Sequence, residues 1–187
     1  MESPAGAPGS FLRRLVLLDE AVSARLVIPA RAKLWHLAAL GLAHTGDSLV
    51  WAALFIGAWF LGGPAWRARV IVAVAGFIIN ELATRIIKTS VRRSRPAGTA
   101  GAIYRRTDPY SFPSGHAARA VMLSMLSGIF GPPALFAVIL AWAPLMVASR
   151  IAIGIHYVLD VAAGFVVGCG LTFATLAIVR YILSLLG

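Results

Sequence analysis

The stretch YVLDVAAGFVVGCGLTFATLAIVRYILSL (157–185) decides the fold class. No charge interrupts it between Asp160 and Arg180. A helix of about 20 apolar residues crosses a hydrocarbon core of about 30 Å, so this run reads as a membrane span. Working outward, the same pattern recurs. Residues 134–153 form a span entered through Gly131-Pro132-Pro133. Residues 67–88 form one that ends at Lys88, and 47–62 one closed by Gly62-Gly63-Pro64. A further span runs from the turn at Pro113-Ser114-Gly115 to Gly131. Transmembrane β-strands would be shorter and would alternate apolar with polar residues, which these runs do not. The expected fold is therefore all-α: an integral-membrane bundle of five transmembrane helices, with six as the alternative.

Composition agrees. Of 187 residues, 59% are hydrophobic and 13% charged, against about 45–50% and about 25% in soluble domains. Such hydrophobicity excludes disorder and argues against a soluble globular domain. The length suits one domain. Seventeen Lys and Arg against seven Asp and Glu give a net charge of +10. These cations lie beside apolar spans and form no separate hydrophilic domain. They are therefore assigned to topology and anionic headgroups, and no nucleic-acid partner is expected. Cys169 is alone, which excludes an intrachain disulfide, and it reads as a small packing residue.

The N-terminal region differs. Residues 1–9 read as a disordered tail. Residues 10–28 carry five charges among apolar residues, too many for a comfortable span, and read as an interfacial amphipathic helix ended by Pro29. A short apolar run, 34–43, follows. The division is thus tail 1–9, interfacial and short helices 10–45, and transmembrane domain 46–187. No uninterrupted apolar region follows MESPAGAPGSFLRRL, so it is not expected to be a signal peptide.

Counting spans puts the connections 62–66 and 131–133 on one side. The loop 89–113, the turn at Ser114 and the junction near His156 fall on the other, and nearly all the polar chemistry gathers there. Lys88 and Arg95 offer a point charge and a bidentate fork to phosphate oxygens. Ser114 and Gly115 open a helix whose free N–H groups favour an anion. His156 and Asp160, spaced i, i+4, share a helix face. The carboxylate can hold one imidazole N–H and leave the other nitrogen as a nucleophile. His116, one turn into another helix, is placed to protonate a leaving oxygen.

Lys88-x6-Arg95-Pro96, Pro113-Ser114-Gly115-His116 and Ser149-Arg150-x5-His156-x3-Asp160 resemble the three signature motifs of the type-2 phosphatidic-acid phosphatase family, over residues 76–168. These are integral-membrane lipid phosphate phosphatases, related to soluble acid phosphatases and vanadium haloperoxidases. The resemblance implies His156 as the nucleophile of a phosphohistidine, Asp160 as its orienting carboxylate, and His116 as acid and then base. It implies Lys88, Arg95, Ser114, Gly115 and Arg150 as the phosphate cradle, with no metal and no cofactor. The short N-terminus is similar to that of the small bacterial members. It points to a multi-pass protein of the bacterial cell (inner) membrane acting on a polyprenyl phosphate, diphosphate or prenyl-linked sugar phosphate. A broad phosphatidate or phosphatidylglycerol-phosphate phosphatase is the alternative within the class. A non-catalytic anionic-lipid binder or transporter is the alternative outside it, and it would not need His156 oriented by Asp160.

Other polar residues receive structural expectations. His36 and His44 are structural. Arg92, Arg93, Arg105 and Arg106 are expected to face lipid headgroups from the loop, with help in binding a diphosphate as the alternative for some of them. Glu81 forms an ion pair with Arg85 or Arg119. Gly164, Gly168 and Gly170 let helices pack closely. The five Trp residues (35, 51, 59, 66 and 142) mostly form interfacial belts. With five spans, Arg13, Arg14, Arg25, Arg31 and Lys33 join the active face, which the positive-inside rule makes cytoplasmic. With six, that face turns outward.

Overall fold

A computed structural model of the chain describes residues 8–97 and 108–186. Residues 1–7, Arg105 and Arg106 lie outside them, whereas Pro8 and Gly9, expected in the disordered tail, are helical. The described residues form helices α1 (Pro8–Leu26), α2 (Lys33–His44), α3 (Ser48–Leu61), α4 (Pro64–Val91), α5 (Gly115–Phe130), α6 (Pro133–Ala152) and α7 (Val158–Leu186). Among them, α4, α6 and α7 are long and apolar enough to cross a membrane. The pair α2 and α3, bent by 53°, passes the same test as one broken span. The chain is thus a multi-pass membrane protein.

Local chemistry explains the helix ends. Pro64 and Pro133 open α4 and α6, where a missing N–H costs nothing and the fixed φ suits a helix. Helix α4 stops where Arg92 adopts a left-handed φ of 54° and its N–H bonds to the Lys88 carbonyl. The bend between α2 and α3 keeps its backbone paired: Gly46 N–H donates to the Ala43 carbonyl and Asp47 N–H to the His44 carbonyl. The Thr45 hydroxyl donates to the Leu42 carbonyl and accepts from Trp142 Nε1 at 2.7 Å. Irregular backbone at membrane depth survives only with such partners.

Helix α5 is central, packing on α4, α6 and α7. Its closest approach is to α7, through glycine. A Cβ on Gly164 would lie 2.5 Å from the Ser114 carbonyl oxygen, and one on Gly168 2.5 Å from that of Ala118. Gly170 meets nothing within 4 Å and takes no part in this contact. Toward the other end, Trp51, Met122, Leu123, Leu126 and Ile139 form an apolar core. Trp51 packs on Trp142 with ring centroids 5.2 Å apart and planes tilted by 59°. These two tryptophans serve interior packing, not the expected belt. Trp59 and Trp66 instead carry Arg67 and Arg69 over their rings.

Helix α1 exposes Phe11, Leu12, Leu18, Val22 and Leu26 and turns Asp19 and Ser23 inward, where both are buried. There they supply acceptors to the free N–H groups that open α7. Val158 N–H donates to Ser23 Oγ at 3.0 Å and Leu159 N–H to Asp19 Oδ1 at 3.0 Å.

Because the atoms facing Gly168 are backbone, Gly168→Ala is expected to destabilise the bundle by about 1–3 kcal/mol, whereas Gly170→Ala leaves it unchanged. Thermal melting of the two variants in detergent checks this contrast.

Candidate active site

All eight residues singled out from the motifs come together at one end of the bundle. They are delivered by the end of α4, the segment after it, the start of α5, the end of α6, the turn 153–157 and the start of α7. Lys88, Arg95, Ser114, Gly115, Arg150, His156 and Asp160 are all buried, and His116 is partly so.

His156 sits in the turn between α6 and α7. Its Nδ1 lies 3.4 Å from Asp160 Oδ2, an oblique approach that makes no hydrogen bond in this geometry. Catalytic hydrogen bonds of this kind often tighten only in the reacting complex. Its Nε2 lies 3.3 Å from Arg95 Nη1. A guanidinium only donates, so Nε2 is the bare nitrogen and Nδ1 carries the proton. Burial lowers the imidazole pKa to about 3, with the charges of Arg95 and Arg150 adding to the effect and Asp160 opposing it. His156 is therefore neutral at physiological pH, as a nitrogen nucleophile must be.

Asp160 is wholly buried. Its Oδ2 accepts from Tyr157 N–H at 2.9 Å and its Oδ1 from Arg93 Nη1 at 2.9 Å. Its main-chain carbonyl accepts from Ser114 N–H at 2.9 Å, tying the start of α7 to the start of α5. Ser114 caps α5 through its Oγ, which accepts from Ala117 N–H, and its hydroxyl proton can still be given to an anion.

His116 is engaged at both nitrogens. Nδ1 accepts from Arg119 Nη2 at 3.2 Å, so Nε2 carries the proton and donates it to Asp47 Oδ1 at 2.9 Å. Asp47 stands just before the first residue of α3 but makes no cap with its side chain, which turns to His116 and to His44 Nδ1 at 2.7 Å. Gly46 permits this approach, since a Cβ there would lie 2.9 Å from the His116 ring. Arg119 also donates to Ser48 Oγ and to Glu81 Oε2 at 3.5 Å. The Glu81 partner in the described contacts is thus Arg119, and that arginine also holds a site histidine.

Two carboxylates lie among the cations. Asp108 bonds Lys88 Nζ and Arg95 Nη2, the latter at 2.8 Å. Asp47 Oδ1 lies 3.8 Å from Arg150 Nη1. Each carboxylate occupies ground that suits a phosphate oxygen. Asp47, Asp108, Arg93 and Arg119 are absent from the motif reading. Arg93 corrects the headgroup assignment: its guanidinium is largely buried, 4.0 Å from the Tyr157 ring centroid, and bound to carboxylates. The one sequence signal for Asp47 is a carboxylate at a helix start between apolar runs. His36 fits its structural assignment through the Ile28 carbonyl, 3.3 Å from Nδ1. Among the described residues no group of three or more His, Cys, Asp or Glu is arranged to hold a metal ion.

Because the folded pKa of His156 is depressed to about 3 from 6.5, the unfolded chain binds a proton that the folded chain refuses across that window. Its contribution to stability is complete above about pH 6.5 and is lost as pH falls toward 3. The melting temperature of His156→Gln should therefore drop less than that of the parent chain between pH 7 and pH 4.

The PAP2 superfamily pattern matches residues 64–184. The chain is 38% identical over 132 residues to the decaprenylphosphoryl-5-phosphoribose phosphatase of Mycolicibacterium smegmatis, covering 67% of this chain and 69% of that one. It is also 38% identical over 134 residues to the Mycobacterium tuberculosis protein of the same name, covering 70% and 72%. The fold is similar to that of the transmembrane PAP2-type phosphatidylglycerolphosphate phosphatase from Bacillus subtilis. The TM-score is 0.71 at 23% identity, over 90% of this chain and 88% of that one. The bundle, the three motifs converging at one end of it and these likenesses agree: the chain belongs to the PAP2 superfamily of membrane phosphatases.

Proposed function

We propose that the protein hydrolyses the phosphate ester of a membrane lipid through a phosphohistidine, with a polyprenyl-linked phosphate as substrate. The observation that carries this reading is the bare Nε2 of buried His156, set beside Arg95 with Asp160 at the opposite nitrogen. Lys88, Arg95, Arg150, the Ser114 hydroxyl and the Gly115 N–H hold the non-bridging oxygens. His156 Nε2 attacks phosphorus, and the bond to the leaving oxygen breaks. With the phosphate anion bound, His116 takes up a proton from solvent at Nδ1, in place of the bond from Arg119, and as an imidazolium gives that oxygen its Nε2 proton, in place of the bond now made to Asp47. His116 then takes a proton from water, whose oxygen attacks the phosphohistidine and releases inorganic phosphate. Asp160 stabilises the positive charge on His156 throughout.

Two observations support a prenyl lipid. The relatives that share 38% identity carry the name of a decaprenyl-linked phosphoribose phosphatase. An apolar cavity of about 380 Å³, lined by Trp51, Phe55, Val70, Leu123, Leu126 and Leu135 among others, begins one turn beyond Asp47. It suits an apolar chain. For topology, α5 supplies a fifth span beside the broken pair α2–α3, α4, α6 and α7. Its 16 residues reach about 24 Å. Helix α1 lies in the interface with its apolar residues toward lipid. The N-terminus then shares the active face, and the basic residues around it favour the cytoplasmic side of a bacterial inner membrane.

Purified protein in detergent should release phosphate from undecaprenyl phosphate, undecaprenyl diphosphate or a prenyl-linked phosphoribose phosphate faster than from phosphatidate. His156→Ala should abolish release from all of them. EDTA should leave the rate unchanged. Turnover by folded His156→Ala would falsify the phosphohistidine route, and a rate restored only by Mg²⁺ would replace it with metal chemistry.

A further inference from the structure

The N-terminal helix reaches the reacting histidine through a continuous chain of buried charge. Asp19 on α1 accepts from Arg93 Nη2 at 2.6 Å. Arg93 Nη1 donates to Asp160 Oδ1 at 2.9 Å, and the other oxygen of Asp160 faces His156 Nδ1. The side chains of Asp19, Arg93 and Asp160 are 3%, 15% and 0% exposed, so water screens this chain little. The geometry leaves each member one orientation. The two arms of the Arg93 guanidinium are split between two carboxylates, and its face lies on the Tyr157 ring. Asp19 is held in turn by Leu159 N–H and by the Ser23 hydroxyl, which donates to it at 3.4 Å. The same two side chains of α1 cap α7 one residue before Asp160.

We infer that Asp19 and Arg93 are positioning residues for catalysis: α1 fixes the Arg93 fork, the fork fixes the Asp160 carboxylate, and the carboxylate is thereby set 3.4 Å from His156 Nδ1, where it accepts that proton's hydrogen bond once the reacting complex tightens. Arg93 has a second consequence. It shares the charge of Asp160, so the carboxylate stays an acceptor and does not draw the imidazole proton fully onto itself. An outer partner of this kind tunes the residue that touches substrate without touching substrate itself. Helix α1 thereby becomes part of the active site, although it carries none of the three motifs. This inference rests on the reading of His156 as nucleophile.

Asp19→Asn tests it. The substitution keeps an oxygen for Leu159 N–H and removes the charge that holds Arg93. The expected result is a kcat lower by about 10- to 100-fold, the range typical of outer partners of a functional histidine, with KM little changed. The ¹⁵N signals of His156 should also move from one neutral tautomer toward a mixture of the two. Asp19→Glu should recover part of kcat, and Glu20→Gln, which removes a neighbouring exposed charge from the same helix, should leave kcat unchanged. Should Asp19→Asn not fold, Arg93→Lys reads the same link, because it leaves the bonds from Asp19 to α7 in place and cannot span both carboxylates. An unaltered kcat and tautomer in whichever variant folds, with His156→Ala inactive, would overturn the role of α1 and leave the nucleophile standing. Turnover by His156→Ala would instead remove both.

Discussion

Charge that has been taken out of water governs the active end of this bundle. Lys88, Arg95, Arg119 and Arg150 are each less than a tenth exposed, and an isolated buried cation is expensive. The chain answers by bringing carboxylates to them: Asp108 to Lys88 and Arg95, Glu81 to Arg119, Asp47 toward Arg150. Two of these carboxylates, Asp108 and Asp47, stand where phosphate oxygens would be held. A phosphate that displaces them meets cations already gathered and desolvated, where Coulombic attraction is stronger than at a surface. The arrangement that makes the fold tolerable is the one that makes it an anion receptor.

Holding that arrangement requires close backbone contact at the same end. Gly164 and Gly168 bring α7 against α5 so tightly that the Asp160 carbonyl bonds Ser114 N–H. Three residues before Asp160, at Tyr157, the turn that carries His156 is tied to the Asp160 carboxylate. The turn that carries His156, the Asp160 carboxylate and the start of α5 are thus tied together by hydrogen bonds. The second histidine is held from another direction, by Arg119 within its own helix and by Asp47 at the bend between α2 and α3. Asp47 stands at the 53° bend between α2 and α3, so that bend is a feature of the site.

The sequence by itself determined the helical membrane class and the motifs. Long uncharged runs fixed an all-α membrane bundle, because only apolar helices satisfy their backbone in hydrocarbon. Span ends fixed which polar residues share a face, but the i, i+4 spacing of His156 and Asp160 gave their nearness and not its cause: His156 lies in the turn before α7, off the helix face expected for the pair. The tertiary structure alone decided the partners of those residues. Asp47 and His116 are 69 positions apart, Arg93 and Asp160 are 67 apart, and Asp19 and Arg93 are 74 apart. No helical period links such positions. Asp19 read as a reason for α1 not to span, and Arg93 as a cation beside headgroups, because in one dimension a buried partner and a solvated charge look alike. Only packing, which removes water from one and not the other, tells them apart.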